Sequence, residues 1–197
     1  MRNRIVIFTR YPEAGKAKPR TIPLLSEQGA ADLHRALTER TVDIVRYAAT
    51  GDTEIEIRFT GASTARMAGW LGADLYLTDQ GPGDLGARMR RTFAEAFTVG
   101  ATACAIVGSD VPSLRPRHIT ATFAALRSHD LVLGPARNGG YYLIGLSRVQ
   151  PELFDGPAWG EHTVLAQTLT IAAQLDLSVF QLEVLEDMDR PEDLLPR

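Results

Sequence analysis

One cysteine in 197 residues leaves no disulfide framework and no thiolate metal cluster. Cys104 lies within an apolar run and is expected to be buried and inert. Long apolar stretches are also missing. Nothing in the chain is long and apolar enough to cross a bilayer. The basic start Met1-Arg2-Asn3-Arg4 is followed by only a short apolar segment, Ile5 to Phe8, so no secretory leader is expected. There is no basic excess: the formal net charge is −3, which argues against nucleic acid as a partner. The four histidines, His34, His118, His129 and His162, show no metal-ligand spacing, and no Ser-His-Asp constellation is apparent. Only His162, beside Trp159 and Glu161, is expected near a site. These absences, with 45% hydrophobic residues, leave a cytoplasmic globular protein whose residues 1–197 form one domain. The oligomeric state is not legible.

The chain does contain short β-branched or apolar runs alternating with helical periodicity. Strands are expected at Arg4–Thr9, Glu54–Thr60, Asp74–Thr78, Ala103–Val107, Leu131–Leu133, Tyr141–Ile144 and Val179–Leu182. Helices are expected at Ala30–Ala48, from Thr64 to about Gly72, after an Asp84 N-cap to Gly100, at Arg117–Arg127 and at Thr163–Leu175. That alternation predicts an α/β fold, a three-layer α/β/α sandwich on a mostly parallel sheet. Ala103–Val107 has no polar alternation, which suits a central strand covered on both faces.

Three polar loops fall where such a sheet gathers its ligands, beyond the carboxyl ends of its strands. The first, after the first strand, carries Arg10, Lys16, Lys18 and Arg20 on what reads as an exposed segment. It holds only Gly15, so it would grip phosphate by side-chain charge rather than by a glycine cradle. The alternative is an ordinary solvated basic loop. The second set is acidic: Asp110 follows the central strand, and Asp187 and Asp189 follow the last one. Carboxylates at two strand ends could share one Mg²⁺ or Mn²⁺. Asp110 could equally cap a turn, and Asp189-Arg190-Pro191-Glu192-Asp193 reads as a helix start. The third is Arg137-Asn138-Gly139-Gly140-Tyr141-Tyr142, where paired glycines suit either a hairpin or close ligand approach. Tyr141 and Trp159 could stack on a sugar or base, or simply pack.

Six segments in order carry a family resemblance: Phe8–Arg20, Gly83–Met89, Gly108–Pro112, Leu133–Leu146, Trp159 and Asp187–Leu194. Together they resemble a bacterial family of uncharacterised GT-A-type proteins described as nucleotide-diphospho-sugar-transferase-like. The resemblance implies Asp110 as the metal-binding aspartate at the central strand's end. The Lys16, Lys18 and Arg20 loop is similar to one in phospholactate guanylyltransferases. The Asp189 tail is similar to that of sugar-activating cytidylyltransferases, which makes Asp189 a second metal ligand. The activity so implied uses Mg²⁺ or Mn²⁺ and transfers a glycosyl group from a nucleotide sugar to a small acceptor. Asp110, Lys16 and Arg20 are then the catalytic candidates. Arg10, Lys16, Lys18, Arg20 and Asp84 would bind the nucleotide, and Asn138, Gly139, Gly140, Tyr141 and Trp159 the substrate. A nucleotidylyltransferase acting on a nucleoside triphosphate, and a binding module without catalysis, are the alternatives. Four departures touch these loops: Pro19 replaces threonine, Thr21 leucine, Asn138 aspartate, and Gly160-Glu161 a Ser-Thr pair.

Overall fold

A computed structural model describes residues 2–189 and residue 193. In chain order the elements are β1 (Asn3–Arg10), α1 (Ile22–Ala48), β2 (Thr53–Thr60), α2 (Thr64–Leu71), β3 (Tyr76–Asp79), α3 (Leu85–Thr98), β4 (Ala103–Gly108), α4 (Pro116–Ala125), β5 (Leu131–Pro135), β6 (Tyr141–Leu146), α5 (Val164–Gln174) and β7 (Val179–Gln181). Short 3-10 turns at Pro19–Thr21 and Pro151–Phe154 were not foreseen. One seven-stranded sheet runs β3-β2-β1-β4-β6-β5-β7. Only β6 is reversed; it pairs antiparallel with both β4 and β5. The sheet is therefore mostly parallel, as the alternation predicted.

Strand β4 is fourth of seven and is buried on both faces. Ala103, Ala105 and Val107 join Ile5, Ile7, Ile57 and Phe59 under α1, α2 and α4. Cys104 and Ile106 join Val6, Phe8, Met89 and Phe93 under α3 and α5. The Cys104 thiol is fully buried, and burial pushes its pKa far up.

Helix ends follow the local chemistry. The Asp84 carboxylate accepts from the Ala87 N–H at 2.8 Å and so caps α3. Its far end closes as a Schellman turn, with Gly100 at φ +91° and N–H bonds from Gly100 to Phe97 and from Ala101 to Ala96. Helix α1 starts eight residues before the expected Ala30 and is broken at Ser26 (φ 67°, ψ 168°). Its first turn is largely exposed, so it carries no apolar stripe for periodicity to detect.

Strand β2 sets Ile55, Ile57 and Phe59 on one face, but its polar face is not solvated. The Arg58 and Glu56 side chains are only 3% and 6% exposed and pair at 2.8 Å. Arg58 also reaches Glu95 of α3 at 2.5 Å, and Glu56 reaches Arg4 at 3.3 Å. Removing one partner of a buried pair leaves an uncompensated charge. Glu56→Ala is therefore expected to cost about 3–5 kcal/mol in urea unfolding, with a local change that leaves the strand ends intact.

Candidate functional site: an acidic pair held by the basic loop

Parallel strands bring the loops after β1, β4, β5 and β7 to one rim. Backbone ties set their spacing: the Met188 N–H donates to the Asp110 carbonyl at 2.8 Å, the Arg137 N–H to the Leu185 carbonyl at 3.0 Å, and the Leu185 N–H to the Pro135 carbonyl at 3.0 Å. Asp110 and Asp189, 79 positions apart in the chain, are thereby neighbours.

The basic loop folds onto this pair. Lys16 and Ala17 donate to the Glu13 carbonyl, each at 3.0 Å, and Gly15 takes φ +78°. Lys18 is left-handed (φ 44°, ψ 56°), and Pro19, with its fixed φ, opens the turn that follows. This bend turns Lys18 inward and corrects the expectation of an exposed alternating segment. Its side chain is 2% exposed, and Nζ lies 2.7 Å from Asp110 Oδ1. Nζ also donates to the Met188 carbonyl at 2.5 Å. Arg20 stays outside and donates to Asp189 Oδ2 at 2.9 Å.

The remaining loop candidates serve local structure. Lys16 is exposed and pairs with Glu13 at 3.0 Å. The Arg10 guanidinium donates to the Lys16 carbonyl at 2.7 Å. Asp84 caps α3 and borders a different concavity, with Arg90 and Arg91.

Burial works against ionisation of Asp110, but the His34 ring and the Lys18 ammonium outweigh it and hold the carboxyl at about 2. His34 is a second correction, since His162 alone was expected near a site. His34 is buried on α1, with Nδ1 3.5 Å from Asp110 Oδ1. Behind it, Thr9 contacts Thr38 at 3.0 Å and Ser109 at 3.3 Å. The missed signal was the register of α1: His34 shares the buried stripe of Ala30, Leu37, Thr38 and Thr41. Its Nε2 faces the Arg10 carbonyl at 3.1 Å.

The third loop forms the hairpin between β5 and β6. Asn138 Nδ2 donates to Asp187 at 2.5 Å, and its Oδ1 accepts from the Gly140 N–H at 2.9 Å. Gly139 has φ +88° and packs; a Cβ there would lie 2.0 Å from the His162 carbonyl oxygen. A pocket of about 210 Å³ is bounded by Arg20, Asn138, Gly140, Tyr141, Trp159 and Asp189, with His162 beside them. That is below the ~300–1,000 Å³ of drug-sized ligands and suits one sugar ring. Gly139 is not among its walls. The Tyr141 hydroxyl is buried, and burial pushes the phenol well up, so only its ring borders the pocket. Trp159 stacks on Phe154 at 6.4 Å and packs against Gly86, where a Cβ would lie 2.2 Å from its Nε1. A larger cavity, about 490 Å³, lies at the opposite ends of the strands, around Asn3, Thr53 and Ala103.

Burial, then the charges of Asp193, Asp189 and Asp110, push the Asp187 carboxyl up. A raised folded-state pKa means that stability falls as pH rises through it. Asp187→Asn should match the parent protein in acid, below the ordinary carboxylate range, and exceed it in stability at neutral pH. Denaturation at stepped pH measures the divergence. The expected helix start at residues 190–192 and the Leu194 end of the tail lie outside the described residues.

Among the described residues no helix is long and apolar enough to cross a membrane. No curated protein matches the chain. A protein from Desulfovibrio desulfuricans G20, provisionally described as a nucleotide-diphospho-sugar transferase, is 30% identical. It matches over 96% of this chain and 83% of its own, with a TM-score of 0.88. Glucosyl-3-phosphoglycerate synthase from Mycobacterium tuberculosis, solved with Mn²⁺, UDP and glucosyl-3-phosphoglycerate, is 14% identical. The match covers 98% of this chain and 74% of that one, with a TM-score of 0.61. A CMP:2-keto-3-deoxy-manno-octonic acid synthetase solved with CTP is 12% identical over 98% and 95% of the two chains, with a TM-score of 0.58. These likenesses establish the GT-A, nucleotide-diphospho-sugar-transferase type of fold. Residues 41–161 match the model of a family described as uncharacterized protein conserved in bacteria (DUF2064), and the chain belongs to that family.

Proposed function

We propose that the protein is a divalent-cation-dependent transferase that moves the glycosyl group of a nucleotide-activated sugar to a small acceptor. The observation behind this is the convergence of Asp110 with Lys18 and of Asp189 with Arg20 at one rim, where Arg20 and Asp189 also wall a pocket of about 210 Å³. Asp110 is held ionised, and Asp189, the residue after the Met188 N–H that bonds the Asp110 carbonyl, offers a second hard oxygen donor, a set that would suit Mg²⁺ or Mn²⁺. Among the described residues no three histidine, cysteine, aspartate or glutamate side chains converge on one point. Diphosphate oxygens and water would therefore complete the shell. Such a cation supplies charge neutralisation at the leaving diphosphate.

The protein's own groups do the rest. Arg20 lies between Asp189 and the pocket, where its planar fork can meet phosphate oxygens. The acceptor hydroxyl oxygen bonds to the anomeric carbon as the bond from that carbon to the diphosphate breaks. The hydroxyl proton goes to solvent, and Arg20 faces the charge that leaves, while buried Lys18 holds Asp110 in place. Asn138, Gly140, Tyr141 and Trp159 bound the sugar or acceptor. The Desulfovibrio relative supports this reading.

Nucleotidylyl transfer is the second reading. Exposed Arg20, lying on Asp189 at the pocket's edge, could also meet a triphosphate. Incubation with nucleotide sugars, or with nucleoside triphosphates and sugar phosphates, in Mn²⁺ separates the two. Nucleoside diphosphate release supports the first. Pyrophosphate release replaces it with the second, and tight binding without turnover removes both.

A further inference from the structure

Trp159 borders not only the pocket of about 210 Å³ but also a second cavity, of about 640 Å³, to which the reaction gives no role. That volume lies within the ~300–1,000 Å³ of small-molecule sites. Ala87, Arg90, Arg91 and Ala94 supply one stripe of α3 to its wall. The two chambers are neighbours along the chain as well. Asp84 lines the larger and Leu85 the smaller, and Pro157 lines the larger and Gly160 the smaller. They therefore meet at a ridge made of Trp159 and the start of α3. The ridge is held in place: Trp159 stacks on Phe154, and Phe154 stacks at 5.5 Å on Phe93, a core ring only 1% exposed. A wall already fixed loses little freedom when a ligand lands on it.

The charges of the larger cavity do not cancel group by group. Arg90 is matched by Asp155 at 3.0 Å. The Asp84 carboxylate is offset by the positive end of α3, which it caps. Arg91 has no such match. Its terminal nitrogens donate to the carbonyls of Gln80 at 2.6 Å and Pro82 at 2.8 Å, and among the described residues no carboxylate pairs with it. Two carbonyls hold the guanidinium still without neutralising it. The result is a fixed cation in a cavity that Phe154, Pro157 and Trp159 also wall.

We propose that this second cavity receives the acceptor, and that the acceptor is a compound with a flat ring and a negatively charged group. This rests on the smaller pocket taking the sugar of the proposed donor. Trp159 and Pro157 would take the face of the ring. Arg91 would take the carboxylate or phosphate, which a guanidinium suits better than an ammonium does. A hydroxyl on such a compound would meet the sugar at the Trp159 ridge, where the chambers join.

Ligand-observed saturation-transfer NMR on the full chain, without metal, is the test. Phenyl phosphate and benzoate are the probes, and benzyl alcohol is the uncharged comparison. At least one of the anions should bind about tenfold more tightly than the alcohol, and the ratio between the two tells phosphate from carboxylate recognition. Ala94 is exposed, lines the cavity and bonds only through its backbone, so it can accept a charge without losing a contact. Ala94→Lys should tighten the anions about threefold to tenfold, and Ala94→Glu should weaken them as much, the scale of one charge across a solvated rim. Neither should move benzyl alcohol. UDP-glucose with Mg²⁺ should leave the probe bound and give interligand NOEs between the probe ring and the glucose. Anions bound no better than the alcohol, no response to either Ala94 change, displacement of the probe by UDP-glucose, or both bound without an interligand NOE would each overturn the proposal. Failure of nucleotide sugars to bind at all would instead overturn the reading of the smaller pocket and the acceptor role with it, while the probes alone still read the affinity of the cavity.

Discussion

Asp110→Asn is expected to abolish the metal-dependent part of nucleotide binding and to lower transferase turnover by about a hundredfold to a thousandfold, the scale set by removing a key electrostatic group from an active site. Asparagine keeps the shape and loses the charge. The Met188 N–H bond to the Asp110 carbonyl does not depend on the side chain, so the rim stays assembled. What goes is the anion that pairs with Lys18 and would meet the cation. Lys18, 2% exposed, then keeps a neutral amide oxygen and the Met188 carbonyl but loses its counter-charge, so a loss of stability of up to about 3–5 kcal/mol accompanies the functional one. A thermal-shift series with UDP-glucose or CTP, with and without Mn²⁺, reads this directly, because a ligand of the folded state raises its melting temperature. The parent should show a larger shift with metal than without, and the variant the same shift in both. A metal-dependent shift that persists in the variant would rule out Asp110 as the ligand.

Gly139→Ala should have the largest effect on folding. Its φ of +88° is costly for alanine, and the added Cβ would lie 2.0 Å from the His162 carbonyl oxygen. Backbone on both sides leaves no flexible tip to yield. The Leu165 N–H also donates to the Gly139 carbonyl at 3.0 Å, so the hairpin cannot swing away without uncapping α5. We expect a loss of about 3–5 kcal/mol, from overpacking added to backbone strain, measured by urea unfolding. His162 borders the pocket, so the surviving folded fraction should also bind sugar substrate poorly. Gly51→Ala is the control. It has the same kind of φ, +60°, but nothing within 4 Å of the added carbon, and should cost only the strain.

The sheet and the order of its elements were legible because strand and helix periods are local properties of the chain. Ala103–Val107 announced a strand buried on both sides, and Asp84 and Gly100 marked their helix ends. The acid pair was legible at the level of topology, since carboxyl ends of parallel strands share a rim. Less legible was the direction of individual side chains. Lys18 read as one of three alternating cations, and only the left-handed backbone before Pro19 turns it inward. His34 had no metal spacing to signal it, because its partner Asp110 is 76 positions away. The polar face of β2 showed the alternation of a solvated strand, yet its charges neutralise one another beneath α3. Such burial depends on which helix covers the sheet, and that is a tertiary fact.

The contacts that close the site join residues 170 and 169 positions apart, Lys18 with Met188 and Arg20 with Asp189. Met188 and Asp189 follow β7, a three-residue edge strand that, among the described residues, pairs on one side only and is part-exposed along its length. The rim therefore inherits the weakest link of the sheet. Brief fraying of that edge would release the acidic segment from Asp110 while the two cores stayed folded. Amide exchange at Met188 would follow the opening of the edge rather than the melting of the whole molecule. A ligand bridging the two aspartates would act as a staple across that seam.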